Sequence, residues 1–259
     1  MLHHRCFGAG KPLLLLHGLG GSWKSWTPVL RAVGAERGLI VVDLPGHGET
    51  PPLPGEASIA TFADAVEELL DAQGIRGVDA VGSSMGARLV LELARRRAVG
   101  AVVSLDPGGF WRGWERRFFA TSVALSGRLV RALDPVMPVL TGNPVTRTAL
   151  LAQFSARPWA LPAGVALTEM RTFAHSPSFQ PLLDSLVNGP VQEGIAAGES
   201  THPITIGWGR QDRVCLPRQA ARALRAFPDA RLHWFERCGH FPQWDAPRET
   251  ARLILDSTG

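Results

Sequence analysis

Short apolar runs, each followed by a helical pattern, constrain the fold of this chain more than any other feature. Residues 13–16, 38–43 (GLIVVD), 78–81 and 100–105 (GAVVSL) are the first four, and 204–208 and the more mixed 231–235 follow late in the chain. A strand with one wet face alternates polar with apolar residues. A strand that is apolar throughout has both faces covered, and helices interleaved between such strands imply a mostly parallel sheet in an α/β fold. The helical patterns fit. Ile59, Phe62, Ala65, Val66, Leu69 and Leu70 recur at helical spacing over 58–73, with Ser58 or Thr61 as the cap. Residues 87–97, 217–227 and 247–255 supply the other covering helices. Between Asp106 and about Ser200 the rhythm stops. That stretch holds four helical patterns (111–133, 145–156, 164–174, 179–187) separated by Asp134-Pro135, Asn143-Pro144, Arg157-Pro158 and Ser176-Pro177. We expect a core of residues 1–106 and 201–259 and a helical cap, or lid, at 107–200, with 196–200 as the linker back.

The 259 residues are 45% hydrophobic and 19% charged, enough to bury a sizeable core. No run approaches the roughly 18 to 20 apolar residues of a membrane span, and the opening Met1-Leu2-His3-His4-Arg5 has no signal-like apolar region. Cys6, Cys215 and Cys238 are scattered without CxxC spacing, so neither disulfides nor a zinc site is indicated. A cytoplasmic protein is expected. The net charge of +4 hints at an acidic partner, but the only lysines are Lys11 and Lys24 and the arginines recur as solvated helix faces. Nucleic-acid and membrane binding are not expected.

The chemistry concentrates at Val81-Gly82-Ser83-Ser84-Met85-Gly86, a G-x-S-x-G sequence between the third apolar run and its helix. A serine hydroxyl is a weak nucleophile and must be presented to both a base and a carbonyl. A sharp strand-to-helix turn does this, and its crowded backbone admits only Gly82 and Gly86 at the flanks. Ser83 adjoins Ser84, but only Ser84 is central between the glycines. Trp208-Gly209-Arg210-Gln211-Asp212 and Cys238-Gly239-His240-Phe241-Pro242 each follow a late strand.

These residues, with His17-Gly18-Leu19-Gly20-Gly21 and the turn Asp43-Leu44-Pro45-Gly46-His47-Gly48, make the chain similar to the α/β-hydrolase superfamily, in its compact, capped, esterase- or lactonase-like branch. The resemblance covers nearly the whole chain, the cap only as a helical insert. It implies an α/β-hydrolase fold with a catalytic triad in the chain order Ser84, Asp212, His240. Ser84 would be the nucleophile, His240 the base and Asp212 the acid that orients it, while the backbone N–H groups of Leu19 and Met85 would form the oxyanion hole. Asp106 also ends a strand, where some members of this fold carry their acid. Asp43 and Asp245 are expected as turn formers, and His17 and His47 as braces for their loops. The family usually opens with a two-stranded hairpin; only one strand, 2–7, fits before residue 13, so the sheet is expected to lack its first edge strand.

The expected activity is cofactor-free and metal-free cleavage of a carboxylic ester, lactone or thioester of a small apolar substrate. A serine at the elbow argues against dehalogenase and epoxide-hydrolase chemistry, which uses aspartate there, and the chain has no tyrosine to open an epoxide. Trp23, Phe110, Trp111, Trp114, Phe154 and Trp159 are the candidate substrate contacts, since small-molecule pockets are largely apolar and aromatic. Arg88, next to the elbow, is expected to be turned away by its helix. A carbon–carbon bond hydrolase of dienoic diketones is the alternative, with Arg157 or Arg171 as a carboxylate ligand, although 17–21 lacks the proline that group usually carries. A small-molecule receptor on a hydrolase fold is a third reading. The small-molecule substrate is the expected partner, and a homodimer is compatible with the sequence.

Overall fold

The computed structural model describes residues 1–259. Seven strands form one sheet: β1 (His4–Phe7), β2 (Pro12–Leu16), β3 (Gly38–Val42), β4 (Asp79–Ser83), β5 (Val102–Leu105), β6 (Ile204–Gly209) and β7 (Arg231–Phe235). Their spatial order is β1-β3-β2-β4-β5-β6-β7, and every pairing is parallel except that of β1 with β3. β1 is therefore a single antiparallel edge strand, and no second strand lies outside it.

The leucines of β2 explain why its sequence does not alternate. Leu14 and Leu16 enter the larger core, whereas Leu13 and Leu15 point to the opposite face and enter the smaller one. The same split recurs at Val42 and Val41, at Ala80 and Val81, and at Val102 and Val103. Each face has its own helices, so both residues of every pair leave water. Helix α1 (Thr27–Val33) joins the smaller core through Val29 and Val33. Helix α2 (Ile59–Gln73) is held by a reciprocal capping box between Ser58 and Thr61 and stops at Gly74, whose φ of 66° is left-handed. Helix α3 (Met85–Arg95) follows β4 after Ser84 alone.

Between β5 and β6 the chain forms five α-helices: α4 (Trp114–Leu133), α5 (Met137–Gly142), α6 (Pro144–Leu151), α7 (Ala163–His175) and α8 (Phe179–Asn188). The short α5 has no counterpart among the sequence patterns, because Met137-Pro138 places a proline in its first turn and leaves too few residues for a period to show. The core resumes through α9 (Ala220–Ala226), α10 (Pro242–Asp245) and α11 (Pro247–Thr258). No helix is long and apolar enough to cross a membrane.

The elbow is built from steric exclusion. Ser84 has φ 56° and ψ −112°, a strained setting for a residue with a side chain. A Cβ on Gly82 would lie 2.0 Å from Gly86 O, and one on Gly86 2.2 Å from Leu16 O. Both are backbone atoms that cannot step aside. Gly82→Ala is expected to cost on the order of 3 kcal/mol or more. A urea-denaturation midpoint unchanged from the parent protein would contradict the crowding.

Candidate active site

Ser84 sits between the C-terminal end of β4 and the start of α3, Asp212 follows β6 and His240 follows β7, so parallel strand direction gathers all three at the C-terminal ends of the strands. Ser84 Oγ is 2.7 Å from His240 Nε2, and His240 Nδ1 is 2.9 Å from Asp212 Oδ2. All three residues are buried. The other carboxylate oxygen, Asp212 Oδ1, accepts the N–H groups of Val214 (2.7 Å) and Cys215 (3.0 Å), which fixes the carboxylate plane. Ser83 is engaged elsewhere: its hydroxyl accepts Gln243 Nε2 at 3.0 Å.

Asp106 is wholly buried next to this chain of bonds, with φ 50°. Its Oδ1 accepts the Gly209 N–H at 2.8 Å, while Oδ2 has no hydrogen-bond partner. Burial, then the adjacent Asp212 charge, push its carboxyl well above the usual carboxylate range. Of the two strand-end acids, only Asp212 bonds the imidazole.

Leu19 and Met85 both line the cavity in front of Ser84. Met85 opens α3, so its N–H has no intrahelical acceptor. Leu19 lies in the turn that the Gly21 N–H closes on Gly18 O at 3.0 Å. His17 supports this turn from within: one ring nitrogen is 2.8 Å from Gly18 O, and Nε2 accepts the Leu44 N–H at 3.0 Å. Burial lowers its pKa, and burial together with the nearby His17 lowers that of His47 to about 3, so both braces are neutral. Asp43 accepts the N–H groups of Trp23 (2.7 Å) and Glu49 (3.0 Å), a turn-forming role.

The cavity lies between the core and the helical insert, and 12 of its 22 lining residues are hydrophobic. Trp111 and Phe154 line it, but four other expected contacts do not. Trp23 packs on Phe7, flanked by Arg5 and Lys24, because Ser25 and Trp26 occupy the inward face of its helical turn. Phe110 is buried edge-on against Phe227. Trp114 and Trp159 are over half exposed, Trp114 lying under the Arg218 guanidinium. The lining is supplied instead by Phe119 and Val123 of α4, Met170 and Phe173 of α7, Leu186 of α8, and Phe241 and Trp244 just after His240. The spacing 119/123 and 170/173 is that of one helix face, which aromatic content alone does not reveal.

Two charged side chains also enter. Arg88 is buried and lines the cavity, contrary to the expectation that α3 turns it away. Its Nε donates to Gln192 Oε1 (3.2 Å) and its Nη2 to Pro190 O (2.7 Å), and burial lowers its pKa to about 10. Glu169 of α7 accepts the Ser25 hydroxyl at 2.9 Å. Arg157 and Arg171 are absent from the lining, and Arg171 faces Asp134 on the outside.

Asp212, Cys215 and His240 bring potential ligand atoms within 4.8 Å of one another. However, the Asp212 oxygens already accept three hydrogen bonds, and burial pushes the Cys215 thiol well above its usual pKa. The cluster is arranged for hydrogen bonding, and its thiol is unsuited to bind a cation.

The insert is stitched to the histidine loop. The His240 N–H donates to Phe154 O (2.8 Å), and Asp245 accepts the Ser155 hydroxyl (2.5 Å), the Ala156 N–H (2.8 Å) and the Gly239 N–H (2.7 Å).

A seven-stranded, mostly parallel sheet with a serine at its elbow defines an α/β hydrolase, and residues 13–253 match the sequence model of the Alpha/beta hydrolase family. The chain belongs to that family, and the protein is a hydrolase. It is 27% identical over 273 residues to 2-hydroxy-6-oxononadienedioate/2-hydroxy-6-oxononatrienedioate hydrolase 1 of Dechloromonas aromatica, spanning 98% of this chain and 89% of the relative. It is 29% identical over 262 residues to 2-hydroxy-6-oxo-2,4-heptadienoate hydrolase of Pseudomonas putida, spanning 96% and 89%. In structure it is similar to a thermophilic esterase from Thermogutta terrifontis, with a TM-score of 0.78, 19% identity and coverage of 98% and 92%. An enol-lactonase from Burkholderia xenovorans LB400 superposes with a TM-score of 0.78, 19% identity and coverage of 98% and 95%. The structural likenesses establish the shared fold.

Proposed function

We propose that this hydrolase cleaves a carboxylic ester, lactone or thioester of a small, largely apolar substrate through an acyl-enzyme. The observation that carries the reading is the unbroken hydrogen-bonded chain from Ser84 through His240 to Asp212, opening into an apolar cavity. Ser84 Oγ attacks the carbonyl as its proton passes to His240 Nε2. The tetrahedral oxyanion is held by the N–H groups of Leu19 and Met85. The carbonyl re-forms, the leaving oxygen or sulfur departs with the proton from His240, and water repeats the sequence to release the acid. Asp212 keeps the imidazole in the tautomer this requires. Beyond the substrate, the steps consume one water molecule, and Ser84 and His240 are returned to their starting state. The helical insert acts as the lid that covers the acyl group.

In such a pocket each buried methylene contributes on the order of 0.8 kcal/mol, roughly fourfold in binding. Across a series of p-nitrophenyl esters, kcat/KM is expected to rise from acetate toward medium-length or aromatic acyl groups. A maximum on acetate would overturn the apolar-pocket reading.

A second reading, carbon–carbon bond hydrolysis of dienoic diketones, is favoured by the names of full-length relatives and by Arg88 in the cavity. Against it, two Arg88 donors are already engaged, and Glu169 shares the cavity with any substrate carboxylate. Turnover of 2-hydroxy-6-oxo-6-phenylhexa-2,4-dienoate with a kcat/KM above that of the best aryl ester would replace the ester reading with this one.

A further inference from the structure

Glu169 is a carboxyl group in an apolar cavity with no part in the acyl-transfer steps. It is 6% exposed and lies on α7 one residue before Met170 and four before Phe173, which also line the cavity. Its Oε2 accepts the Ser25 hydroxyl at 2.9 Å. Ser25 Oγ in turn accepts the Ser22 N–H at 3.3 Å, so its single proton is committed to the carboxyl. Oε1 has no hydrogen-bond partner in the protein, yet it is not among the atoms sealed from solvent. A carboxyl anchored through one oxygen and open through the other is a positioned acceptor.

Its placement gives it a direction. Ser25 Oγ lies 2.8 Å from where a Gly21 Cβ would be, and Phe173 fills the space beside Gly20. Glu169 therefore sits over the 18–21 turn, while Arg88, tied to Gln192 and Pro190 and packed on Gly109, approaches from another part of the wall. No ion pair reaches Glu169. Arg171 and His175, on the same helix, engage Asp134; Lys24, on the turn that carries Ser25, lies over the Trp23 ring; and His240 is bonded to Ser84 and Asp212.

We propose that Glu169 is a specificity-determining residue, whose Oε1 accepts a hydrogen bond from a hydroxyl or ammonium group on the substrate and excludes a substrate that carries a carboxylate at that position. The inference rests on the ester reading and narrows it, from an apolar acyl group to one with a donor placed along it. Burial raises the Glu169 pKa to about 7, only partly offset by the Ser25 hydroxyl. Below that pH the group is neutral and tolerates an anion; above it the group is charged and rejects one. The selectivity of the cavity thus changes near neutrality.

The test uses three matched series of p-nitrophenyl esters of four to eight carbons, ending in methyl, hydroxyl or carboxylate. The readout is the ratio of kcat/KM between series within each variant, in which any pH effect on the shared chemical steps cancels. At pH 8 the hydroxyacyl-to-carboxyacyl ratio at the best chain length is expected to fall about tenfold or more in Glu169→Gln. In the parent protein this ratio should drop between pH 8 and pH 6, whereas in Glu169→Gln it should stay flat. Ser25→Ala, which leaves the carboxyl in place and removes the bond that favours its ionisation, should move the midpoint to higher pH. Ester turnover with ratios that are the same in the parent and both variants would overturn the inference and leave the ester reading intact. No turnover of any ester would remove both.

Discussion

Ser84→Ala is expected to lower hydrolysis of an activated aryl ester by roughly four to six orders of magnitude, because members of a catalytic triad act as a unit. Labelling by a fluorophosphonate should vanish with it, and circular dichroism should stay that of the parent. The elbow makes this a clean substitution. The strained backbone at φ 56° is set by the Gly82 and Gly86 contacts, and alanine differs from serine there only by the hydroxyl bonded to His240. The neighbouring Ser83 cannot substitute, since its hydroxyl is turned to Gln243. A folded variant that keeps most of its turnover, or an adduct mapped to Ser83 in the parent, would disprove the assignment.

The two buried aspartates should respond very unequally to the same change. Asp212→Asn is expected to cost about 10³- to 10⁴-fold in kcat/KM, because an amide cannot hold His240 in the tautomer that accepts the serine proton. Asp106→Asn should cost less than about tenfold, as Asp106 makes no bond to the imidazole and its burial beside Asp212 disfavours the charged form. Asparagine can still accept the Gly209 N–H through its carbonyl oxygen, as Asp106 Oδ1 does. Steady-state kinetics of the two variants on one ester decides the matter. If Asp106→Asn were the more damaging, the acid would belong to β5 and not to the loop after β6.

Why some of this is legible in the sequence, and some is not, follows from what each pattern encodes. Residues 13–16 read as a strand covered on both faces because four successive leucines leave neither face polar, and the structure divides them between two cores. Gly82 and Gly86 are legible for a steric reason that is local to the elbow. The order of Ser84, Asp212 and His240 is legible because each follows one of the parallel strands, whose C-terminal ends lie on the same side of the fold. The cavity wall is another matter. Aromatic identity says nothing about direction, so Trp114 and Trp159 read as well as Phe154 but point outward. Arg88 is drawn into the cavity wall by Gln192 and Pro190, more than a hundred residues away. Glu169 shares by spacing the helix face of Ala166, Met170 and Phe173, but an acid on such a face reads as a break in the apolar stripe, and its burial depends on Ser25, far away in the chain.

The bonds between the insert and the histidine loop tie residues 154–156 and His240 into one hydrogen-bonded unit. Phe154 presents its ring to the cavity and its carbonyl to the His240 amide, so a residue of the cavity wall also holds the histidine backbone. Asp245 clamps both segments at once through Ser155, Ala156 and Gly239. A displacement of this end of the insert would be passed to the backbone that carries the imidazole. The opposite side of the insert, where the Phe179 ring packs on Gly127 of α4 and on Phe173, has no such bonds to the histidine loop, so the 154–156 strip is where the insert and the His240 backbone share one anchor.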